Sequence, residues 1–255
     1  MPRQFVDLAG AATLPTGHFQ LTGRVITDLV ANAAVGVVHG PAGTGKTYAV
    51  EAALEDLEQR PASERPSVVL LNFPSRPSMR LIANQLLQEL TGAETPASQN
   101  RFDLMTKLIG LLASPMRLVV VDEAQRLTGD CIELLRHLHD DRRTRFALLY
   151  VGGDGCWEVL SREPMLRSRV FRRLRFEPLP QAQVPELMRR YHPIYEGVGD
   201  DLLYEVDNAY GHGTMRDWAV FTHTAAGLCE DTGRAVPDEA VVANAYALLG
   251  GGLHD

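Results

Sequence analysis

The chain has 255 residues and a formal charge of −7, long enough to bury a core of one domain or of one domain plus a small appendage. Charged residues are 22% and hydrophobic ones 45%, the mixture of an ordinary globular protein. No apolar run reaches the roughly eighteen residues of a membrane span, and MPRQFVDLAG lacks the apolar core of a signal peptide, so neither span nor export is expected and the expected location is the cytoplasm.

Residues 1–30 read as an amino-terminal extension. The first buried strand is VGVVH, Val35 to His39, and it runs straight into GPAGTGKT, Gly40 to Thr47. This is the pattern G-x-x-x-x-G-K-[ST]. Gly40, Gly43 and Gly45, with Pro41, Ala42 and Thr44 between them, let the backbone turn tightly and aim successive N–H groups inward, where a side chain would obstruct a phosphate. Lys46 is placed to reach the β- and γ-phosphates of ATP and Thr47 to ligate Mg2+. The helix expected over Lys46 to Gln59 adds its positive amino end.

A second strand is expected over Val68 to Asn72. The helix that follows, Ser78 to Leu90, has Ser78 as its N-cap behind Pro77. A helix over Gln99 to Leu112 leads to a third strand, Leu118 to Val121, which ends in VVVDEAQRL. Asp122 then stands where a buried strand meets solvent at the carboxyl edge of a sheet, the position from which a carboxylate holds Mg2+ through water. Glu123, one residue on, is placed to polarise the attacking water.

The pattern continues with a helix over Gly129 to His139, a strand over Ala147 to Val151 and a strand over Val170 to Phe176. Buried strands alternating with helices predict an α/β fold with a parallel sheet. After Pro180 the strands stop. Helical patterns at Gln183 to Tyr191, Asp201 to Ala209, Thr214 to Leu228 and Asp238 to Leu248 predict a small all-α domain. Cys131, Cys156 and Cys229 match neither a disulfide framework nor a zinc spacing, and read as small buried apolar residues.

Between Arg136 and Arg175 ten arginines face five acidic residues, so an acidic chain carries a basic band. Lysine occurs only at 46 and 107, so nearly every cation is an arginine, the better fork for phosphate. In VFRRLRF, Leu174 and Phe176 alternate with Arg173 and Arg175, which predicts a strand with one wet, basic face. Together with Arg136, Arg142, Arg143 and Arg145 around the loop HDDRRTR, that face is either a contact for nucleic-acid backbone or a solvated surface with local ion pairs. No aromatic residues interleave with the loop arginines, which favours backbone tracking over base reading.

The two nucleotide motifs, a strand ending in VGGD, the arginines of LRSRV and a helical region containing GHGTMRDW together resemble an AAA+ ATPase over about residues 15 to 245. The wording VDEAQRL, the segment NFPSRPSMRLIANQLLQEL and the compact size resemble the TniB, TnsC and MuB group of transposition ATPases. The resemblance implies a P-loop αβα sandwich as a nucleotide-binding core over residues 31–179 and a helical lid domain over 180–255. It also implies head-to-tail homo-oligomers, as rings or helical filaments, with ATP held between neighbours. Arg169 of Ser168-Arg169 resembles the arginine finger that acts on the neighbour's γ-phosphate, with Arg167 as the alternate. Such a finger accelerates transfer by about 10³ to 10⁵. Arg216 in GHGTMRDW matches a lid arginine that reaches the nucleotide of its own subunit. After the fourth strand many relatives carry Asn or Thr, whereas VGGDG offers glycines and Asp154.

The expected function is an ATPase that assembles on double-stranded DNA and recruits or activates a transposase, with hydrolysis dismantling the assembly. A replication-type loader or initiator, and a regulatory switch of the ExeA kind that does not bind DNA, are the alternatives.

Overall fold

The computed structural model describes residues 8–62, 64–73, 75–92 and 100–250. In chain order the elements are α1 (Gly17–Asn32), β1 (Val35–His39), α2 (Lys46–Glu58), β2 (Ser67–Leu71), α3 (Met79–Thr91), α4 (Arg101–Ala113), β3 (Arg117–Val121), α5 (Gly129–Asp140), β4 (Phe146–Gly152), α6 (Cys156–Ser161), α7 (Pro164–Arg167) and β5 (Val170–Arg175). Then follow α8 (Val184–Tyr191), α9 (Asp200–Val206), α10 (Met215–Thr232) and α11 (Glu239–Leu249).

All five strands run parallel in the order β2-β3-β4-β1-β5. Parallel neighbours need crossovers long enough to hold a helix, and the helices between the strands supply them. The three inner strands β1, β3 and β4 are buried at every residue, which is why each reads as an apolar run, with only His39 at the end of β1 and Arg117 at the start of β3 departing from it. Alternate residues feed two core layers. Val37, Val119, Val121, Leu148 and Tyr150 pack with residues of α3, α4 and α5, and Val38, Leu118, Val120 and Leu149 with residues of α1 and α2. Each such side chain contributes about 1.5–3 kcal/mol on burial. The result is an αβα sandwich.

Ile26 and Leu29 of α1 are fully buried in the second layer, and Gly36 of β1 leaves the room that the Leu29 side chain fills. Asp28 of α1 takes Arg24 at 3.0 Å and Arg172 of β5 at 3.0 Å. Residues 17–30, read from the sequence as part of an extension, are thus the larger part of a helix on the sheet.

The chain divides into two compact units. Residues 17–40 and 46–176 make the sandwich. The described residues up to Thr16, residues 41–45 and the described residues from Glu177 onward make the other, whose core gathers Leu14, Val184, Met188, Tyr195, Trp218, Phe221 and Tyr246. α9 runs into a π turn, Asp207 to Gly211, where the sequence pattern continued as ordinary helix to Ala209. Among the described residues no helix is long and apolar enough to cross a membrane.

Ser78 caps α3 by accepting from Leu81 N at 3.2 Å, as its sequence position predicts. The strand limits differ from the sequence reading by at most one residue, and the helix expected from Gln99 begins at Arg101, Gln99 lying outside the described residues. All three cysteines are buried and free.

Candidate nucleotide site

The segment Gly40 to Thr47 leaves β1 and enters α2 at Lys46. Gly40 has φ 142°, and a Cβ there would run into the carbonyl of Phe176, whose own N–H donates to His39 O at 2.7 Å. Thr44 Oγ1 donates to Pro41 O at 2.9 Å and closes the loop on itself. Gly45 differs from Gly40 in its reason for being glycine. A Cβ on it would meet no atom of the protein within 4 Å, so its φ of 89°, and not crowding by the chain, is what selects against a side chain. Lys46 is buried, whereas Thr47 and Ala42 are exposed.

Within the sandwich, β3 delivers Asp122 to the carboxyl edge. Its backbone N–H donates to Leu71 O of β2 at 2.9 Å, and its Oδ1 accepts from Glu123 N at 2.8 Å. Burial pushes the Asp122 carboxyl above the usual carboxylate range, and Glu123 and Glu51 push the same way. Glu123 sits in the left-handed region (φ 54°, ψ 38°), which turns its side chain out of the strand path. Its carboxylate accepts from Gln125 Nε2 at 2.6 Å and faces Arg126 Nη2 at 3.5 Å, while Arg126 Nη1 donates to Phe73 O. Burial pushes the Cys156 thiol up to about 12.

Mg2+ takes hard oxygen ligands in a compact shell. Thr47 and Asp122 offer a hydroxyl and a carboxylate of that kind, and a carboxylate raised by burial gains from a nearby cation. The donor set therefore fits Mg2+ bound with a nucleotide.

In the other unit, the loop residues 41–45 are held by the start of α10. Arg216 N donates to Gly43 O at 3.0 Å. Gly43 has φ 80°, and a Cβ on it would lie 3.2 Å from Arg216 Cβ and 3.3 Å from Thr214 Cβ, so this approach needs glycine. The turn that presents Thr214 and Arg216 is built on buried Asp207. Its Oδ1 accepts from Gly213 N and Trp218 Nε1, both at 2.8 Å, while its carbonyl accepts from His212 N at 2.7 Å. Thr214 caps α10 through Asp217 N at 3.4 Å, and the Arg216 side chain is exposed.

The basic band separates by strand direction. Arg169 precedes β5, at the amino end of the sheet, where its Nε donates to Asp140 Oδ1 at 2.7 Å and its Nη1 to Met165 O at 2.8 Å. Asp140 also takes Arg136 Nη1 at 2.6 Å. Burial works upward on the Asp140 carboxyl, but the hydrogen bonds from Arg169 and Arg136 outweigh it and hold the group below its ordinary value. Val35 pairs with Val170 and His39 with Arg175, so Arg169 lies about 20 Å before the level of Gly40 at 3.3 Å per residue. Arg167 ends α7 and is exposed.

Arg142, Arg143 and Arg145 are exposed in the turn before β4, also at the amino end, and Arg143 pairs with Asp141 at 2.8 Å. Arg173 and Arg175 are exposed toward the carboxyl end of β5, on the wet face that the alternation predicts. The guanidinium of Arg173 lies 4.5 Å from the centre of the Trp157 ring, and that ring also stacks against His39 at 6.3 Å. The four arginines expected to meet DNA therefore stand at opposite ends of the strands. Asp154 is exposed in the turn before α6.

Sequence reasoning passed over Gln125 and Asp207. Gln125 stands inside the motif VDEAQRL, and its partner on the far side, Gly153, follows a strand some thirty residues later. Asp207 shows in sequence only as one acid in an amphipathic run.

A five-stranded parallel sheet with helices on both faces, a glycine-rich loop after β1 and an acidic pair after β3 define an α/β P-loop protein of the nucleotide-binding class. Residues 30–160, just over half of the chain, match the family model described as the AAA domain, and the chain belongs to that family. No curated protein sequence matches it. Its fold is similar to the ORC2 protein of Aeropyrum pernix in its ADPNP–ADP complexes, with TM-score 0.67 and 17% identity over 95% of this chain and 70% of that one. It is similar to Cdc6p from Pyrobaculum aerophilum, with TM-score 0.72 and 16% identity over 96% and 70%. It is also similar to the Aeropyrum pernix ORC1 protein in complex with DNA, with TM-score 0.68 and 19% identity over 96% and 68%.

Proposed function

We propose that the protein is a Mg2+-dependent ATPase that assembles head to tail on duplex DNA and, in the assembled state, recruits or activates a transposase. The observation that carries the assembly is the position of Arg169. It is held at the amino end of β5, while Lys46 opens the helix after β1 and Asp122 and Glu123 follow β3, at the carboxyl end of the strands, so the finger serves a neighbour's nucleotide. Mg2+, when bound, neutralises phosphate charge. Lys46 binds the β- and γ-phosphates, Asp122 and Thr47 orient the metal's shell, and Glu123 takes a proton from the attacking water. Arg216, whose backbone already holds Gly43, addresses the nucleotide on that same loop.

Arg142, Arg143, Arg173 and Arg175 are assigned to DNA phosphate. A modest basic surface per subunit suffices when many subunits line one duplex, because the salt-dependent increments add. A second reading, a replication-type loader or initiator, is favoured by the likeness to an ORC1 protein solved with DNA.

Electron microscopy of the protein with ATP and duplex DNA tests the proposal. Regular assemblies on DNA that need ATP and fail with Lys46→Ala are expected, and ATP-bound protein that ignores DNA would sink it in favour of a regulatory switch. Capture of a DDE transposase by those assemblies, against capture of a replicative helicase, separates the first reading from the second.

A further inference from the structure

We propose that Gln125 is a positioning residue that fixes the Glu123 carboxylate and couples it to the end of β4. Glu123 stands in a left-handed backbone conformation immediately after β3, so its carboxylate is not aimed by the strand that delivers it. The side chain of Gln125 does the aiming. Its Nε2 donates to Glu123 Oε2 at 2.6 Å and its Oε1 accepts from Gly153 N at 3.0 Å.

The two ends of the amide cannot exchange. A carboxylate only accepts and a backbone N–H only donates, so one orientation satisfies both partners. The link joins the outlets of two adjacent strands, β3 and β4. Gly152 makes room for it, since a Cβ there would lie 2.5 Å from Gln125 Oε1 and 2.5 Å from Cys156 Sγ. The glycines of VGGDG, which leave β4 without a polar side chain at 152 and 153, thus admit an amide supplied from the neighbouring strand. Asparagine, one methylene shorter, cannot span both partners. Glutamate would set a second carboxylate against Glu123 and lose the donor.

Consequently any shift of the backbone at Gly153 and Asp154 moves the amide and, with it, the carboxylate. Glu123 Oε2 is occupied by Gln125 and Arg126, which makes Oε1 the oxygen for the attacking water.

The inference rests on Glu123 as the base, so the test is a double-mutant cycle in the full-length protein with DNA and saturating Mg2+-ATP. Glu123→Gln, Gln125→Ala, Gln125→Asn and the Glu123→Gln/Gln125→Ala pair are compared by kcat and by the Kd for a fluorescent ATP analogue. Gln125→Ala and Gln125→Asn are expected to lower kcat at least tenfold with Kd within about twofold of wild type. The double variant should be no slower than Glu123→Gln alone.

An unchanged kcat for Gln125→Ala, a further loss in the double variant, or a Kd that weakens as much as kcat falls would each overturn the inference while leaving Glu123 as the base. Full turnover in Glu123→Gln would instead remove the base reading, and the positioning role with it. Gln125→Asn keeps an amide in place and guards against a variant that fails to fold.

Discussion

Asp122 shows at the scale of one residue how site and fold compete. Desolvation raises its pKa, so the folded protein binds this proton more tightly than the unfolded chain does, and stability falls as pH rises from the unfolded value toward the raised folded one. Above that window the protein without metal carries a half-buried charge. Asp122→Asn keeps the acceptor for Glu123 N without the charge, so it should raise the Tm of the metal-free protein at pH 7 and abolish Mg2+-dependent turnover. The Tm gain should vanish in acid, where Asp122 is itself protonated. A melt series across pH, with EDTA present, checks this, and a lower Tm for Asp122→Asn at pH 7 would contradict it. The place of Asp122, like that of Lys46, was legible in the sequence because it is fixed by what precedes it, a buried strand leading to an edge. Gln125 was not, since its meaning depends on Gly153, a neighbour set by the order β3-β4-β1.

Among the elements, the inner strands were the most legible because burial on both faces writes itself as apolar runs such as Leu118 to Val121 and Phe146 to Gly152. α1 was less so. Its buried residues Val25, Ile26 and Leu29 acquire a face only where α2, β5 and β4 come against them. α6 and α7 have six and four residues, too short to nucleate alone and too short to show a period. The π turn after α9 escaped for a further reason, that Asp207 closes it through Trp218 and Gly213 instead of continuing the helix. That carboxylate is the buried base of the turn that brings Arg216 N to Gly43 O. Asp207→Ala leaves two buried N–H donors without their acceptor, a cost of about 2–5 kcal/mol. It should lower Tm and also weaken ATP binding, because the grip on Gly43 loosens. Chemical denaturation together with nucleotide titration tests both halves. A stability loss with unaltered ATP affinity would show that the turn supports the fold and not the loop.

Across the whole molecule the arginines divide by the direction of the sheet, and the division sets what each can do. Arg142 and Arg143 occupy the amino end and Arg173 and Arg175 lie toward the carboxyl end, about 20 Å apart along a seven-residue strand, so under the proposed DNA binding one subunit would offer duplex DNA two separate contacts. Neutralising either pair should flatten the salt dependence of DNA binding by a similar step and weaken all sequences alike. A flat result from one pair alone would assign the contact to the other end. Arg143 is held by Asp141 and Arg173 by the Trp157 ring, so each pair enters with one arginine already in contact.

Under the proposed assembly Arg169 has a different task, because it is anchored by Asp140 about 20 Å before the level of Gly40. Arg169→Ala should lower hydrolysis by about 10³ or more while leaving ATP binding to the isolated subunit nearly intact. Lys46→Ala should fail for the opposite reason, keeping the finger but holding no nucleotide. An interface built from a Lys46→Ala subunit offering Arg169 to an Arg169→Ala subunit holding ATP then contains every working part. Mixing the two inactive variants should restore turnover at the fraction of interfaces that pair this way. The recovered rate should rise with total protein concentration, since assembly is what creates the site. Failure to recover at any ratio, with both variants folded and the mixture assembling on DNA, would place Arg169 in a structural role within its own subunit through Asp140.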